Sequence, residues 1–429
     1  MFISLTVIPL ISANILTADG LCDTVKQIPG YLHGGSDVLL YYWFFESRKA
    51  PTSSPTLVYF QGGPGASSMY SVVSGNGGPC ILNREGNDTS LNTCSYNTFA
   101  NILYIDQPAP TGFSKGTSPK NSDKAATFTL RALETFFAKY PEYNTEVFFI
   151  GQSYAGHYIP PLAQLTVTSK SLIKLKGVIL GNSEVNTMLQ CASMPTMAYA
   201  SGTSRSVLSE KEYQRMLKSL SVVMSDAQQC LKHKDSREIC QNASNTYYDN
   251  LILPIDEKNI DIFDLRLDCV VPPPKCHYIE NFNAYFNSKK VQAYLKVKKK
   301  WSLNNGDVSR AFLADSPVDY SPDLSLILNE GLRVLVYAGD QDYACNWIGN
   351  RDMTLEIRWS GRDGFSKAPD TLYLLPTGQQ VGKLKSFTFA GTGGQLSFAQ
   401  IFKAGHSAAK DSPEGVLQLV SDFVLGRIK

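Results

Sequence analysis

Short apolar runs, rich in β-branched and aromatic residues, recur along the chain and end at glycine, proline or polar turns. They cover residues 38–46, 56–61, 101–106, 147–150, 177–181 and 333–338. Their length and composition predict strands buried within a sheet. Residues 122–139 instead carry apolar positions at helical spacing after a Ser-Asp start, which predicts a crossover helix. Strands that alternate with helices indicate an α/β fold with a mostly parallel central sheet covered by helices on both faces.

The region 184–330 lacks this strand rhythm. It holds five of the nine cysteines and several polar helical stretches, such as residues 209–220. We therefore predict a largely helical cap insertion at 184–330, between two core parts at 19–183 and 331–429. Residues 1–18 are apolar and end in small residues, which favours a secretory signal peptide even though its basic start is missing.

Composition narrows the possible partners. Hydrophobic residues make up 43% of the 429-residue chain and charged residues 18%, as expected for a protein with a sizeable core. The net charge of +2 favours neither nucleic acid nor an anionic membrane surface. Beyond the first 18 residues, no segment is long and apolar enough to span a bilayer.

The run at 147–150 leads directly into Gly151-Gln-Ser-Tyr-Ala-Gly156. This spacing has the form of a nucleophile elbow, in which Ser153 lies on a sharp turn between a strand and a helix. Ala155 stands where the usual motif has glycine, and Gly156 follows it. The alternative is an ordinary strand-to-helix junction with a capping serine, and the elbow pattern alone does not decide between the two.

An acid and a histidine follow further along the chain. Asp342 lies just beyond the run at 333–338, and His406 is the only one of the five histidines that follows it. The order Ser153, Asp342, His406 is that of the α/β-hydrolase triad. A glycine-rich turn at residues 62–65 also follows a strand, and such turns supply oxyanion donors in hydrolases of this kind.

The cysteine spacing predicts local disulfides rather than a metal site. Close spacing suggests three pairs: Cys80–Cys94, Cys230–Cys240 and Cys269–Cys276. A zinc site would need Cys-x-x-Cys or nearby histidines, so we expect neither a metal nor a cofactor. The odd number of cysteines leaves at least one thiol free. If the chain is secreted, Asn87 and Asn242 begin glycosylation motifs.

Together these motifs closely resemble the serine carboxypeptidase family. The resemblance runs over nearly the whole chain and includes Gly62-Gly-Pro-Gly65, Asp106-Gln-Pro108, Ser153-Tyr-Ala-Gly-His-Tyr158, Cys345-Asn-Trp347 and Gly405-His406. It implies an α/β-hydrolase fold and release of C-terminal residues from peptides with a free C-terminus. It also implies an enzyme of the secretory pathway, secreted or in a lysosome-like or vacuole-like compartment, and a monomer or a homodimer.

The resemblance assigns roles residue by residue. It makes Ser153 the nucleophile, Asp342 the acid and His406 the base, and Asp340 is then structural. It places the oxyanion donors on the backbone N–H groups of Gly63 and Tyr154. The residues it implies around the substrate are Gln61, Gly62, Gln152, Asn76, Cys345 and Ser407.

Several of these positions depart from the family pattern. Gln61 replaces an asparagine, Gln152 replaces a glutamate beside the nucleophile, and Asn76 replaces a second glutamate. The family uses the first two positions to bind the terminal carboxylate, and its glutamate does so while protonated. Because glutamine cannot ionise, we expect carboxylate binding here to lose its dependence on acid.

The family's bridge from the glycine loop to the insertion is also missing, because Ala66 replaces its cysteine and no cysteine lies near residues 301–306. The resemblance implies that Cys345 is free and leaves Cys22 and Cys191 as a further candidate pair. Two other functions stay open. One is an acyltransferase or esterase with the same triad, and the other is a non-enzymatic binding protein, which the intact triad disfavours.

Overall fold

The computed structural model describes residues 20–273, 276–277 and 280–428. The predicted signal peptide at residues 1–18 lies outside this part of the chain. None of the helices in the described residues is long and apolar enough to cross a membrane.

The described residues form twelve strands. They are β1 (Gln27–His33), β2 (Leu39–Phe45), β3 (Thr56–Phe60), β4 (Cys80–Leu82), β5 (Thr89–Leu91), β6 (Asn101–Asp106), β7 (Val147–Ser153), β8 (Leu175–Ser183), β9 (Arg333–Gly339), β10 (Thr371–Leu374), β11 (Gln380–Thr388) and β12 (Gln395–Ile401). All six apolar runs singled out in the sequence are strands, and the run at 147–150 is longer than predicted because it continues to Ser153.

The described residues also form sixteen α-helices. They are α1 (Met69–Val73), α2 (Ser122–Lys139), α3 (Ala155–Thr168), α4 (Thr187–Cys191), α5 (Met194–Ala200), α6 (Glu210–Lys232), α7 (Arg237–Tyr247), α8 (Leu253–Asp256), α9 (Glu280–Phe286), α10 (Lys289–Leu295), α11 (Gly306–Ala311), α12 (Ser321–Asn329), α13 (Trp347–Glu356), α14 (Arg362–Lys367), α15 (Ala408–Asp411) and α16 (Pro413–Val424). The predicted crossover helix is α2, with the bounds expected from its periodicity.

Ten strands form one sheet in the order β1-β2-β6-β3-β7-β8-β9-β12-β11-β10. The six strands from β6 to β12 in this order pair in parallel, and the two strands at each edge pair antiparallel. The expectation of a mostly parallel α/β sheet is therefore confirmed. The carboxyl ends of β7, β9 and β12 meet at one edge of the sheet, where open α/β sheets bind their ligands.

The sheet is buried on both faces. In β7, Val147 and Phe149 pack into one hydrophobic core together with α2 and α3, while Phe148 and Ile150 pack into a second core together with α16. Successive side chains of a strand point to opposite faces, so a strand covered on both sides is apolar at consecutive positions. This explains why the run appears continuous rather than alternating.

The chain between β8 and β9 has a different character. Its described residues form helices α4 to α12 without a strand that joins the large sheet. Part of this region has its own apolar cluster, built around Met194, Met197, Met216 and Leu251. The last of these helices, α12, packs instead into the core shared with α3.

The disulfides correct one prediction. The structure contains Cys230–Cys240 and Cys269–Cys276, but Cys80 pairs with Cys22 and not with Cys94. Cys94, Cys191 and Cys345 have no bridge, so the candidate pair Cys22–Cys191 is also wrong.

The N-terminal segment explains the different pairing. Asp23 is buried between Arg48 and Asn97, with oxygen-to-nitrogen distances of 2.8 Å to each, and Thr89 donates to the Leu21 carbonyl at 3.1 Å. These contacts bring Cys22 to Cys80, with a Cα–Cα distance of 5.7 Å. The short spacing between Cys80 and Cys94 along the chain could not show that Cys80 forms its disulfide with a cysteine 58 residues away.

Candidate active site

Ser153 lies at the turn where β7 passes into α3. Its φ angle is 62°, in the left-handed region that a residue with a side chain rarely adopts. A Cβ on Gly151 would lie 2.5 Å from Ala155 Cβ, and one on Gly156 would lie 2.3 Å from the Glu184 carbonyl oxygen. Positions 151 and 156 therefore leave no room for a side chain, as the close packing of a nucleophile elbow requires.

An acid–histidine pair lies at the same edge of the sheet. His406 Nδ1 and Asp342 Oδ2 are 2.7 Å apart, and Asp342 is fully buried. A carboxylate only accepts hydrogen bonds, so Nδ1 carries the proton and Nε2 is left as a base. Asp340 instead accepts from the Lys403 backbone N–H and from Gln341 Nε2, each at 2.8 Å.

Ser153 and His406 lie at the same edge of the sheet without a direct hydrogen bond. Among the described residues, no hydrogen bond joins the Ser153 hydroxyl to the His406 ring. Gln152, the residue before Ser153, donates to the His406 carbonyl oxygen at 2.7 Å. In free serine hydrolases the contact between nucleophile and base is often loose and tightens when substrate binds.

Asn182 is a contact that the sequence analysis missed. Its Nδ2 donates to Asp342 Oδ2 at 2.8 Å, and its Oδ1 accepts from the Gly339 backbone N–H at 3.3 Å. Asp342 Oδ1 has no hydrogen-bond partner among the described residues, so Oδ2 accepts from both Asn182 and His406. The available signal was an asparagine at the end of a buried strand, which here has a φ angle of 41°.

The region between β8 and β9 also reaches the histidine. The backbone N–H of His406 donates to the Phe263 carbonyl oxygen at 2.7 Å, and the two rings lie 4.8 Å apart between centroids. A Cβ on Gly405 would lie 2.6 Å from the same carbonyl oxygen. Phe263 therefore fixes the position of the His406 backbone, a contact for which the sequence offered no signal.

The glycine loop approaches the nucleophile closely. A Cβ on Gly62 would lie 2.4 Å from the Tyr154 backbone nitrogen and 2.8 Å from Ser153 Cβ. Within the described part of the chain, the N–H groups of Gly63 and Tyr154 donate to no protein acceptor. Unused N–H groups beside a nucleophile are the feature expected of an oxyanion hole.

The three amide side chains do not all meet. Asn76 Nδ2 donates to Gln152 Oε1 at 2.5 Å, and both residues are buried. Gln61 Oε1 instead accepts from Tyr59 and Ser71, at 3.0 Å and 2.8 Å. The structure therefore joins Asn76, Gln152 and the His406 carbonyl in one chain of hydrogen bonds, and Gln61 belongs to a neighbouring one.

Cys345 lies beside the acid–histidine pair. Its sulfur, one Asp342 carboxylate oxygen and one His406 ring nitrogen lie within 4.8 Å of one another. Burial raises the pKa of the Cys345 thiol well above its usual range, and Asp342 and Glu184 raise it further, so the thiol is neutral. Ser407 occupies the N-cap position of the short helix α15, and its side chain makes no capping hydrogen bond there. Asn87 and Asn242 are exposed, as an attached glycan requires.

Known proteins are similar in sequence to this chain over most of its length. The sequence profile described as serine carboxypeptidase matches residues 19–426. Carboxypeptidase Y of Komagataella phaffii is 33% identical over 417 residues, which cover 94% of this chain and 77% of that protein. Carboxypeptidase Y homolog A of Pyricularia oryzae is also 33% identical, over 94% of this chain and 73% of that protein.

A solved structure gives the same result for the fold. The prohormone-processing carboxypeptidase Kex1 of Saccharomyces cerevisiae aligns with a TM-score of 0.79 at 20% identity, covering 94% of this chain and 92% of that one. The expected α/β-hydrolase fold is thereby confirmed. The chain belongs to the serine carboxypeptidase family and is a serine-type carboxypeptidase.

Proposed function

We propose that Ser153, Asp342 and His406 carry out the peptide hydrolysis, through an acyl-enzyme on Ser153. The observation that carries this proposal is the 2.7 Å bond between His406 Nδ1 and Asp342, at the sheet edge where Ser153 occupies a strained turn. The bond holds the imidazole in the tautomer whose Nε2 can accept a proton.

In the first step, His406 Nε2 takes the proton of the Ser153 hydroxyl while the oxygen attacks the last peptide carbonyl. The N–H groups of Gly63 and Tyr154 bind the oxyanion that forms. The carbon–nitrogen bond then breaks, and the leaving amine receives the proton from His406. Water repeats the sequence on the ester, which releases the shortened peptide and restores Ser153.

The substrate's C-terminal residue would lie on the side of the cleft formed by Gln61, Gly62, Gln152 and Asn76. Gln152 supports this assignment because its amide lies between Asn76 and the backbone of His406. Cys345 lies beside the acid–histidine pair and Ser407 follows His406 in the chain, and we propose that both contact the leaving group. Peptide substrates follow from the family, and the chemistry needs no metal ion or cofactor.

An acyltransferase or esterase is the second candidate, and one observation favours it. Gln61, Gln152 and Asn76 are uncharged at every pH, so none of them loses or gains charge to match a free carboxylate. A blocked dipeptide with a free C-terminus, its amide and its ester separate the candidates. Hydrolysis of the ester alone, or transfer to an added alcohol or amine in place of water, would favour the second.

We further propose that residues 184–330 form a cap over the site and that residues 1–18 direct the chain into the secretory pathway. The contact of Phe263 with His406 supports the first proposal. Three disulfides and the exposed Asn87 and Asn242 support the second. Expression in a eukaryotic host tests the second: two glycans removable by an endoglycosidase are expected, and a reduced, unglycosylated cytosolic product would contradict it.

Labelling by a serine-directed fluorophosphonate tests the catalytic assignment. The wild type should be labelled on Ser153, and the label should be absent from Ser153→Ala. A labelled Ser153→Ala protein would show that a different serine is the nucleophile.

A further inference from the structure

Asp315 is a buried carboxylate that the proposed mechanism does not use. It lies between α11 and α12 and is only 1% exposed. Its Oδ1 accepts from the Ser122 backbone N–H at 3.0 Å and from the Tyr320 hydroxyl at 2.7 Å. Its Oδ2 accepts from the Ser122 hydroxyl at 2.5 Å and from the Tyr154 hydroxyl at 2.8 Å. These four donors replace the water that a carboxylate loses on burial.

One of the four donors belongs to the residue that directly follows the nucleophile. The backbone N–H of Tyr154 is the oxyanion donor proposed above. The Tyr154 ring is buried and stacks on His157, with centroids 4.3 Å apart and planes at 14°. Burial raises the pKa of Tyr154 well above its usual range, and Asp315 raises it further, so the hydroxyl stays protonated and donates. The Tyr154 side chain is thus held at its tip by Asp315 and across its face by His157.

The backbone beside Tyr154 needs such an anchor. Ser153 has a φ angle of 62°, and a strained conformation persists only where the surrounding structure fixes it. If the strain relaxed, the peptide plane between Ser153 and Tyr154 would turn and carry the Tyr154 N–H with it. An oxyanion donor is effective only when it points to the position where negative charge develops, so a small rotation weakens it.

We propose that Asp315 is a positioning residue, which aims the Tyr154 backbone N–H at the oxyanion by holding the Tyr154 hydroxyl. The proposal rests on the function proposed above, because it takes Ser153 as the nucleophile and Tyr154 as an oxyanion donor. Asp315 acts through Tyr154 and exchanges no proton with the substrate.

The second tyrosine on Asp315 offers a matched control. Tyr320 is also buried, and its hydroxyl donates to the other oxygen of the same carboxylate. Tyr320 lies at the N-cap position of α12, whereas Tyr154 lies at the N-cap position of α3, next to Ser153. Tyr154→Phe and Tyr320→Phe therefore each remove one hydroxyl and keep the ring, and only the first releases the elbow. A merely structural role of Asp315 predicts similar consequences for both variants.

Hydrolysis of a blocked single-residue methyl ester and inhibition by the corresponding blocked aldehyde measure the effect. The Ser153 oxygen adds reversibly to the aldehyde carbonyl carbon, and the carbonyl oxygen then lies against the oxyanion donors. Tyr154→Phe should lower kcat and weaken aldehyde binding, each by about tenfold, a part of the about 100-fold cost of losing a whole donor. KM for the ester should stay within about threefold, because both the acylation and the deacylation step pass through an oxyanion.

Tyr320→Phe should keep the wild-type kcat and the wild-type affinity for the aldehyde. Equal losses in the two tyrosine variants would overturn the proposal, and so would a wild-type kcat in Tyr154→Phe. Complete fluorophosphonate labelling counts the competent sites of each preparation. Expressing kcat per labelled site keeps misfolded protein out of the comparison.

Asp315→Leu tests whether the effect runs through the carboxylate. It removes every acceptor at similar volume and should lower kcat by about tenfold, as Tyr154→Phe does. The double variant should be no slower than the slower single variant, because the second change removes a hydrogen bond that is already lost. A wild-type kcat in Asp315→Leu, or losses that multiply in the double variant, would contradict the proposal. If Asp315→Leu does not fold, the two tyrosine variants decide by themselves.

The two levels of inference fail differently. A wild type that the fluorophosphonate does not label on Ser153 would refute the proposed function. A wild type labelled on Ser153, whose two tyrosine variants behave alike, would refute only the role of Asp315.

Discussion

The two groups of residues that we propose as the catalytic side and the recognition side of the site bind His406 in opposite ways. On the catalytic side, a buried carboxylate of Asp342 accepts from its ring at 2.7 Å. On the recognition side, the uncharged amide of Gln152 donates to its backbone carbonyl, also at 2.7 Å. Proton transfer needs a charge to stabilise the imidazolium, whereas binding a peptide terminus needs only matched donors and acceptors.

The two sides also differ in the structural elements that carry their residues. Asp342 and His406 follow β9 and β12, which pair with each other inside the large sheet. Asn76 instead lies in the loop between α1 and β4, a segment outside that sheet. Loops tolerate substitution better than the strands that position them. Of the three departures from the family pattern, only Asn76 lies in such a loop, because Gln152 lies in β7 and Gln61 follows β3 directly.

The largest effect should come from removing the nucleophile. Ser153→Ala should lower kcat by at least about 10⁴-fold, because only oxyanion binding and substrate positioning remain. Substrate KM should change little. Turnover of a blocked dipeptide measures the loss, and turnover within tenfold of the wild type would show that the catalytic side is assigned to the wrong residues.

The next largest effect should come from Asn182, which acts through Asp342. Asn182→Ala removes a hydrogen bond to a buried carboxylate, and kcat should fall by about 10- to 100-fold with KM unchanged. The pH profile of kcat should also shift, because one of the two donors to Asp342 is gone.

Asn101→Ala serves as the control for Asn182. Asn101 is as buried as Asn182 and is also hydrogen bonded. It is the first residue of β6, so it lies at the amino-terminal edge of the parallel strands, opposite the edge that carries Ser153, Asp342 and His406. The Asn101→Ala substitution should lower the free energy of unfolding without changing the kcat of the folded enzyme. Equal losses of kcat in both variants would mean that Asn182 is structural only.

The third prediction concerns the recognition side and pH. In the wild type, KM for a free-acid peptide should stay nearly constant from pH 5 to pH 8, because no side chain that binds the terminus ionises. Gln152→Glu introduces a carboxyl at a buried position, where burial raises its pKa above the reference value of about 4.3 and into this range, and the carboxylate repels the peptide terminus once ionised. Its KM should therefore rise as pH rises, by about tenfold across this range. A steep rise in wild-type KM that the substitution leaves unchanged would contradict the comparison.

The smallest effect on catalysis should come from the Cys22–Cys80 bridge, which lies four residues from Asn76 along the chain. Cys22→Ser should lower stability by about 2–4 kcal/mol and raise KM for peptides, because the Asn76 loop loses its anchor. Turnover of the methyl ester should be unaffected. Cys94→Ser, which removes a free thiol, is the matched control, and thermal unfolding with steady-state kinetics measures both variants. A bridge between Cys80 and Cys94 in peptide mapping would contradict the structure.

The sequence by itself determined the features that depend on neighbouring residues. The strand at residues 147–150, the elbow at Ser153 and the bounds of α2 follow from local periodicity and turn chemistry. The order of Ser153, Asp342 and His406 followed as well, because each lies at or shortly beyond the carboxyl end of a strand in the parallel part of the large sheet. Close spacing along the chain also predicted two of the disulfides correctly, Cys230–Cys240 and Cys269–Cys276.

Only the tertiary structure decided the contacts between distant segments. Cys22 meets Cys80 because Asp23 is held by Arg48 and Asn97, and Asn182 meets Asp342 because β8 pairs with β9. The sequence showed that Gln152 and Asn76 are amides but not which atom of each bonds to which partner. That depends on the backbone carbonyl of His406, 254 residues away along the chain, since a hydrogen bond is set by proximity in space and not by order in the sequence.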